Sequence, residues 1–112
     1  MKRRCVCGCG RKKGLHRHHV VYQQELRRIA GTEVARAMTL AMDPRNIVLV
    51  AFRCHGQHHA RREVLPLRVL PDSVFEFALE VLGAGRAFEY LRRHYAGDDP
   101  RLDALLEVAD AA

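Results

Sequence analysis

The stretch 43–59, DPRNIVLVAFRCHGQHH, constrains the fold more than any other part of this chain. Asp43-Pro44 opens a turn. Ile47, Val48, Leu49, Val50 and Ala51 form an apolar, β-branched run of strand length. Gly56 loosens the chain after Cys54-His55, and the HHARREV that follows is rich in helix formers until Pro66 ends it. The expectation is a turn, a strand, a second turn and a helix beginning near His55. On that helix His55 and His59 stand at i and i+4, one turn apart on one face. Two imidazoles at that spacing can close on one metal ion. Asn46 stands at the mouth of the strand, ahead of both.

The chain has 112 residues, which predicts one small domain with a modest core that benefits from a staple. A hydrophobic fraction of 48% is enough for a folded protein, and no apolar run approaches membrane-spanning length, so no membrane partner is expected. MKRR has the charge of a signal peptide, but cysteines and glycines follow it instead of an apolar run. No export signal is read, and the expected compartment is cytoplasmic. There, four cysteines in a short chain favour a metal over disulfides.

The formal charge of +6 hides an asymmetry. Residues 1–70 carry 15 Lys/Arg against 4 Asp/Glu, a net +11, whereas residues 71–112 carry 4 against 9, a net −5. The first segment has the electrostatic footprint of a nucleic-acid binder, with Lys12, Lys13 and Arg17 among its candidate phosphate contacts. Read alone, the same charge is also what an ordinary solvated surface carries.

Cys5, Cys7 and Cys9 alternate within MKRRCVCGCGRKKG, and Cys54 is the one remaining cysteine. They read as a zinc knuckle with its fourth ligand supplied from the central stretch, although knuckles ordinarily use C-x-x-C and this one reads C-x-C-x-C. The alternative is a basic arm with incidental thiols. Residues 15–22, LHRHHVVY, read as a strand. Neighbours on a strand diverge, so His18 and His19 do not readily bind one ion, but one can hold a metal while the other stays free. Six of the seven histidines fall within 16–19 and 55–59, a clustering that packing does not explain.

Residues 22–42 have helical spacing, with Tyr22, Leu26 and Ile29 on one face and a break at Gly31 before a new cap at Thr32-Glu33. Beyond the prolines at 66 and 71, three more helices are expected. The first is capped by Asp72 or Ser73, turns Val74, Ala78, Val81 and Leu82 inward and ends at Gly83. The second spans 84–95 with Phe88, Leu91 and Tyr95 on a face. The third starts at Asp99-Pro100 and buries Leu102, Leu105, Leu106 and Ala109. The division is thus a basic core, 1–70, and an acidic helical tail, 71–112, packed on it as scaffold or as a docking face, outside the chemistry.

H-H-V at 18–20, D-P-R-N at 43–46 and C-H-x-x-H-H at 54–59, in that order, resemble the HNH endonucleases, the ββα-metal nucleases. The likeness spans about residues 5–62, and the tail is similar to that of actinobacteriophage HNH proteins, whose genes often lie beside packaging genes. The resemblance implies an α+β fold: a ββα-metal core with an N-terminal zinc knuckle and additional C-terminal helices. It implies His18 as a metal ligand, His19 as general base, Asn46 as the residue that orients the base, and His55 and His59 as the remaining ligands, with His58 the alternative to His59. Relatives with a structural zinc carry C-x-x-C-H, whose first cysteine falls at Ala51 here. The third N-terminal cysteine is expected to compensate, giving Cys5, Cys7, Cys9 and Cys54 as the zinc set.

The residue types suit the implied chemistry. Phosphodiester hydrolysis needs an activated water and neutralisation of charge on the phosphorane and the leaving oxygen. An uncoordinated imidazole is suited to the first task near neutral pH, and a divalent cation of the Mg, Mn, Ni or Zn class to the second. Arg62, three residues after His59 on the same expected helix, is placed to hold a neighbouring phosphate. The expected function is DNA cleavage, by nicking or through both strands, leaving 5′-phosphate and 3′-hydroxyl ends. Its expected setting is phage DNA packaging or processing in the host cytoplasm, with the phage large terminase subunit as a further partner. The alternatives are a non-catalytic zinc-stapled DNA-binding module and a packaging adaptor.

Overall fold

The structure is a computed structural model that describes residues 4–30 and 34–111. Among these residues the fold is α+β, a two-stranded antiparallel sheet with six helices. Strand β1 (Leu15–His19) pairs with β2 (Ile47–Ala51), setting His18 opposite Val48 and His19 opposite Ile47. Helices α1 (Gln23–Ala30) and α2 (Val34–Ala41) fill the connection between the strands. The expected break at Gly31, the cap at Thr32-Glu33 and the side chain of Ile29 lie outside the described residues.

β1 stops at His19, although its β-rich composition continues to Tyr22. The cause is Asn46, which is fully buried and takes over the backbone of the next two residues. Its carbonyl accepts from the Val20 amide at 2.8 Å, and its Oδ1 accepts from the Val21 amide at 2.7 Å. Its Nδ2 donates to the carbonyls of Val21 at 3.0 Å and Ala41 at 3.2 Å. Those polar backbone groups are thereby satisfied off the ladder, and both valines enter the core.

No turn separates β2 from the next helix, contrary to expectation. Ala51 is its N-cap, and helix α3 (Phe52–His59) begins three residues ahead of His55 and runs through Gly56. It ends at His59, well before Pro66, because Arg61 takes a left-handed conformation with φ 57°.

Helices α4 (Asp72–Leu82), α5 (Ala84–His94) and α6 (Pro100–Ala111) follow a short 3-10 turn at Leu67–Val69. Gly83, at φ 81°, makes the reversal between α4 and α5 that its position in the sequence predicts. Asp99 caps α6 by accepting from the Arg101 amide at 2.9 Å, whereas Asp72 and Ser73 do not cap α4, whose N-cap is Pro71. Val74, Phe75, Phe77 and Ala78 of α4 are buried with Ala87, Tyr90 and Leu91 of α5 and Leu102 and Leu105 of α6. Leu106 stays exposed, and Phe88 is only half-buried. The tail meets the basic segment where α4 packs on the 44–46 turn: Arg45 pairs with Glu80 at 2.6 Å and stands over the Phe77 ring at 5.4 Å. Among the described residues no helix is long and apolar enough to cross a membrane.

Asn46→Ala would strand both backbone groups of Val21 in a dry core. The expected loss is about 2–4 kcal/mol of folding stability, read from urea denaturation. A loss below about 1 kcal/mol would show that the clasp is dispensable.

Candidate functional site

Because β2 runs straight into α3, the helix folds back along the sheet and brings two of its histidines to β1. His18 of β1 is 1% exposed, His55 is half-buried and His59 is exposed. One ring nitrogen from each of the three lies within 4.8 Å of the others. The Nε2 atoms of His55 and His59 are 2.8 Å apart, and the His18 and His55 rings meet edge-on at 5.1 Å. Burial, followed by the nearby His58, His55 and His59, pushes His18 down to about 3. Burial and then His59, His16 and His19 lower His55 as well. Neutral imidazoles are what a metal requires of histidine, so the donor set fits a divalent ion. Three nitrogen donors suit zinc or nickel better than the oxygen-seeking magnesium.

His58 does not belong to this set. The Leu65 amide donates to its Nδ1 at 3.0 Å, so that nitrogen is bare and the ring proton sits on Nε2, 3.1 Å from the Tyr22 hydroxyl. Both nitrogens are engaged. Burial and then His59 hold its pKa down to about 4. His58 is a clasp between α3 and the segment that follows it, and the third nitrogen of the cluster comes from His59.

His19 is half-buried beside the cluster and outside the grouped nitrogens. It is close enough that a proton on it disfavours one on His18 or on His55. Asn46 holds the two residues directly after it, Val20 and Val21.

Two contributions escape a reading of the sequence. His16, two residues before His18 on the same strand face, meets His55 edge-on at 5.7 Å and Phe52 at 5.2 Å. Strand alternation would have shown this. The second contribution is the tail, expected to stand apart from the chemistry. Tyr95, just past α5, puts its hydroxyl 2.8 Å from His18 Nε2 and 2.9 Å from the Val20 carbonyl, to which it donates. Tyr90 donates to the same carbonyl at 3.2 Å and accepts from the Tyr22 amide at 2.8 Å. These contacts join residues 68 to 77 positions apart, and no local pattern encodes them.

Of the expected phosphate contacts, Lys12, Lys13 and Arg17 are exposed, and Arg17 alternates with His16 and His18 onto the other face of β1. Arg62 does not share the His55/His59 face. The left-handed turn at Arg61 carries it to a groove with Phe52, Gly56 and Ala60. Arg61 is the arginine on the histidine side: it donates to the Arg93 carbonyl at 3.1 Å, and its charge depresses both His58 and His94.

On another flank of α3 the four cysteines converge. Their sulfurs all lie within 4.8 Å, with Cys5–Cys7 at 3.2 Å, Cys7–Cys54 at 3.4 Å and Cys9–Cys54 at 3.7 Å. A tetrahedral zinc with 2.3 Å bonds sets its sulfurs about 3.8 Å apart, so the cluster can hold a structural zinc. Gly8 and Gly10, both at φ 84°, wind the alternating cysteines into this small loop. Ala51, standing where a C-x-x-C-H knuckle has its first cysteine, donates its amide to Cys5 Sγ at 3.2 Å. An amide from Arg11 lowers Cys9 to about 7, while burial raises Cys7 and Cys54. No family model, curated protein or solved structure matches this chain.

Purified protein is expected to hold one tightly bound zinc that Cys54→Ser releases, as measured by elemental analysis. Zinc retained by the variant would exclude the four-cysteine set. Stability of the metal-free protein should also follow pH. Above about 6.5 both folded and unfolded chains leave these histidines neutral. As pH falls below that, the unfolded chain gains protons that His18 and His58 refuse in the fold, until about 4 for His58 and about 3 for His18. The unfolding free energy should therefore fall between pH 7 and 5, at up to about 1.4 kcal/mol per pH unit for each histidine. A flat profile contradicts their burial as neutral groups.

Proposed function

We propose that this chain is a metal-dependent endonuclease of the HNH, ββα-metal type, hydrolysing DNA phosphodiester bonds to 5′-phosphate and 3′-hydroxyl ends. The observation that carries this reading is the convergence of His18 from β1 with His55 and His59 from α3, with His19 beside them and outside the set. The strand order and the helix that follows β2 without a loop are consistent with a ββα core.

His18, His55 and His59 would hold the divalent cation. Bound there, the ion supplies Lewis acidity for the scissile phosphate and the leaving 3′-oxygen. His19 takes the proton from the attacking water on a ring nitrogen, which the ligand set leaves free. Asn46 fixes the backbone directly after His19, and so the direction in which that imidazole is presented. Arg61, whose charge reaches His58 and His94, replaces Arg62 as the candidate for a neighbouring phosphate. A cleft of about 550 Å³ beside the cysteines carries Arg11, Arg53 and Arg68 against a single Glu63, as an anionic backbone requires. The net +11 of residues 1–70 acts in the same direction. Participation in phage DNA packaging or processing, with a large terminase subunit as partner, rests on the likeness of the tail alone.

Nicking of supercoiled DNA should need added divalent metal and stop with chelator. His19→Ala should cut the rate by about a hundredfold or more while leaving metal affinity near wild type. His55→Ala should lose metal and activity together. A protein that binds DNA and both metals but never nicks is a zinc-stapled binding module instead. If His19→Ala abolishes metal binding while His18→Ala spares it, the two roles are reversed.

A further inference from the structure

Within the reading of His18, His55 and His59 as metal ligands, we infer that Tyr95 is a positioning residue of that site: it fixes the tautomer of His18, so that Nδ1 is the ligating atom. The proof lies in where hydrogens must be. The Tyr95 and Val20 oxygens are 2.9 Å apart. Two oxygens so close repel unless a hydrogen lies between them, and a carbonyl has none to give. The single hydroxyl hydrogen of Tyr95 therefore points at Val20. The same hydroxyl is 2.8 Å from His18 Nε2, and that contact also needs a hydrogen. It has to come from Nε2. A neutral imidazole carries one N–H, so Nδ1 is left with its lone pair bare.

The tyrosine is itself held. Val20 is fully buried, its amide is bound to Asn46, and its carbonyl also accepts from Tyr90. Tyr95 is 4% exposed and stacks on His58 at 5.1 Å, with the ring planes 22° apart. Its ring is therefore fixed, with the hydroxyl held against the Val20 carbonyl. The acidic helical tail thus finishes the histidine site in the way an outer ligand shell does: it orients an imidazole and raises its basicity by accepting its one N–H. A chain with the same histidines but no hydroxyl at 95 would present His18 in either tautomer.

Long-range ¹H–¹⁵N correlation spectra of the full chain, labelled at histidine and loaded with one equivalent of zinc for the cysteines, read this directly. His18 is expected as the Nε2–H tautomer. A second equivalent of zinc should shift its Nδ1 resonance and leave Nε2–H in place. Tyr95→Phe should scramble the tautomer and weaken binding of that second zinc about tenfold or more. Tyr90→Phe, which removes the neighbouring hydroxyl from Val20, should keep the tautomer and bind within about twofold of wild type. An Nδ1–H tautomer in the wild-type protein overturns the inference, as does loss of Nε2–H on zinc addition. Should Tyr95→Phe not fold, the wild-type spectra decide alone. If the tautomer is as stated and no second zinc binds, the assignment of Tyr95 to His18 stands, and it is the metal reading of the cluster that fails.

Discussion

The backbone at Val20–Val21 is the point on which the rest of the structure depends. Asn46 holds it from the β2 side through its own carbonyl and its side-chain amide. Tyr90 and Tyr95 hold it from the tail through the Val20 carbonyl. An unpaired backbone group in a dry interior costs about 1–3 kcal/mol, so the chain has few ways to satisfy these two residues other than this one. Satisfying them ends β1 at His19, sends the chain into α1 and fixes His18 and His19 at the strand's last positions. The basic and acidic segments, divided so sharply by charge, are joined at this point by the neutral hydroxyls of Tyr90 and Tyr95. The ion pair at their outer boundary, Arg45 with Glu80, is partly exposed and adds little to this.

Helix α3 is short, with eight residues, a glycine in its interior and no side-chain cap at its start. Such a segment has little helical stability of its own. Its neighbours define it. Cys54 ties its first turn to the N-terminal cysteines, His55 and His59 meet His18, and His58 is clasped by Leu65 and Tyr22. A zinc among the cysteines would close a loop of roughly half the chain around it, which is the kind of staple a domain this small needs. The two clusters lie on different flanks of one helix, so order imposed at the cysteines is transmitted over a single turn to the histidines.

Much of this was legible in the sequence. The clustering of histidines at 16–19 and 55–59, with Asn46 ahead of β2, marks the segments that the fold brings together. The i, i+4 spacing puts His55 and His59 on one face because α3 spans both, and strand alternation puts His18, without His19, among the grouped nitrogens. Gly83 and Asp99-Pro100 marked helix boundaries by backbone rules that tertiary contacts seldom override. The failures share a cause. Arg62 was placed by extending a helix that Arg61 breaks in a left-handed turn, a conformation that an arginine does not advertise. Tyr95 read as one more apolar residue on a helix face, since its hydroxyl serves a histidine 77 positions away. Local periodicity describes which face is buried and is silent on what the buried polar atoms meet.

We propose that two separate metal sites flank α3, one of sulfur and one of nitrogen. Anomalous diffraction from crystals grown with zinc, recorded on both sides of the zinc edge, tests it most directly. Two peaks are expected, one among Cys5, Cys7, Cys9 and Cys54 and the other among His18, His55 and His59, with His58 and His19 uncoordinated. A single peak at the cysteines, or a second ion bound through His58 or His19, would contradict it.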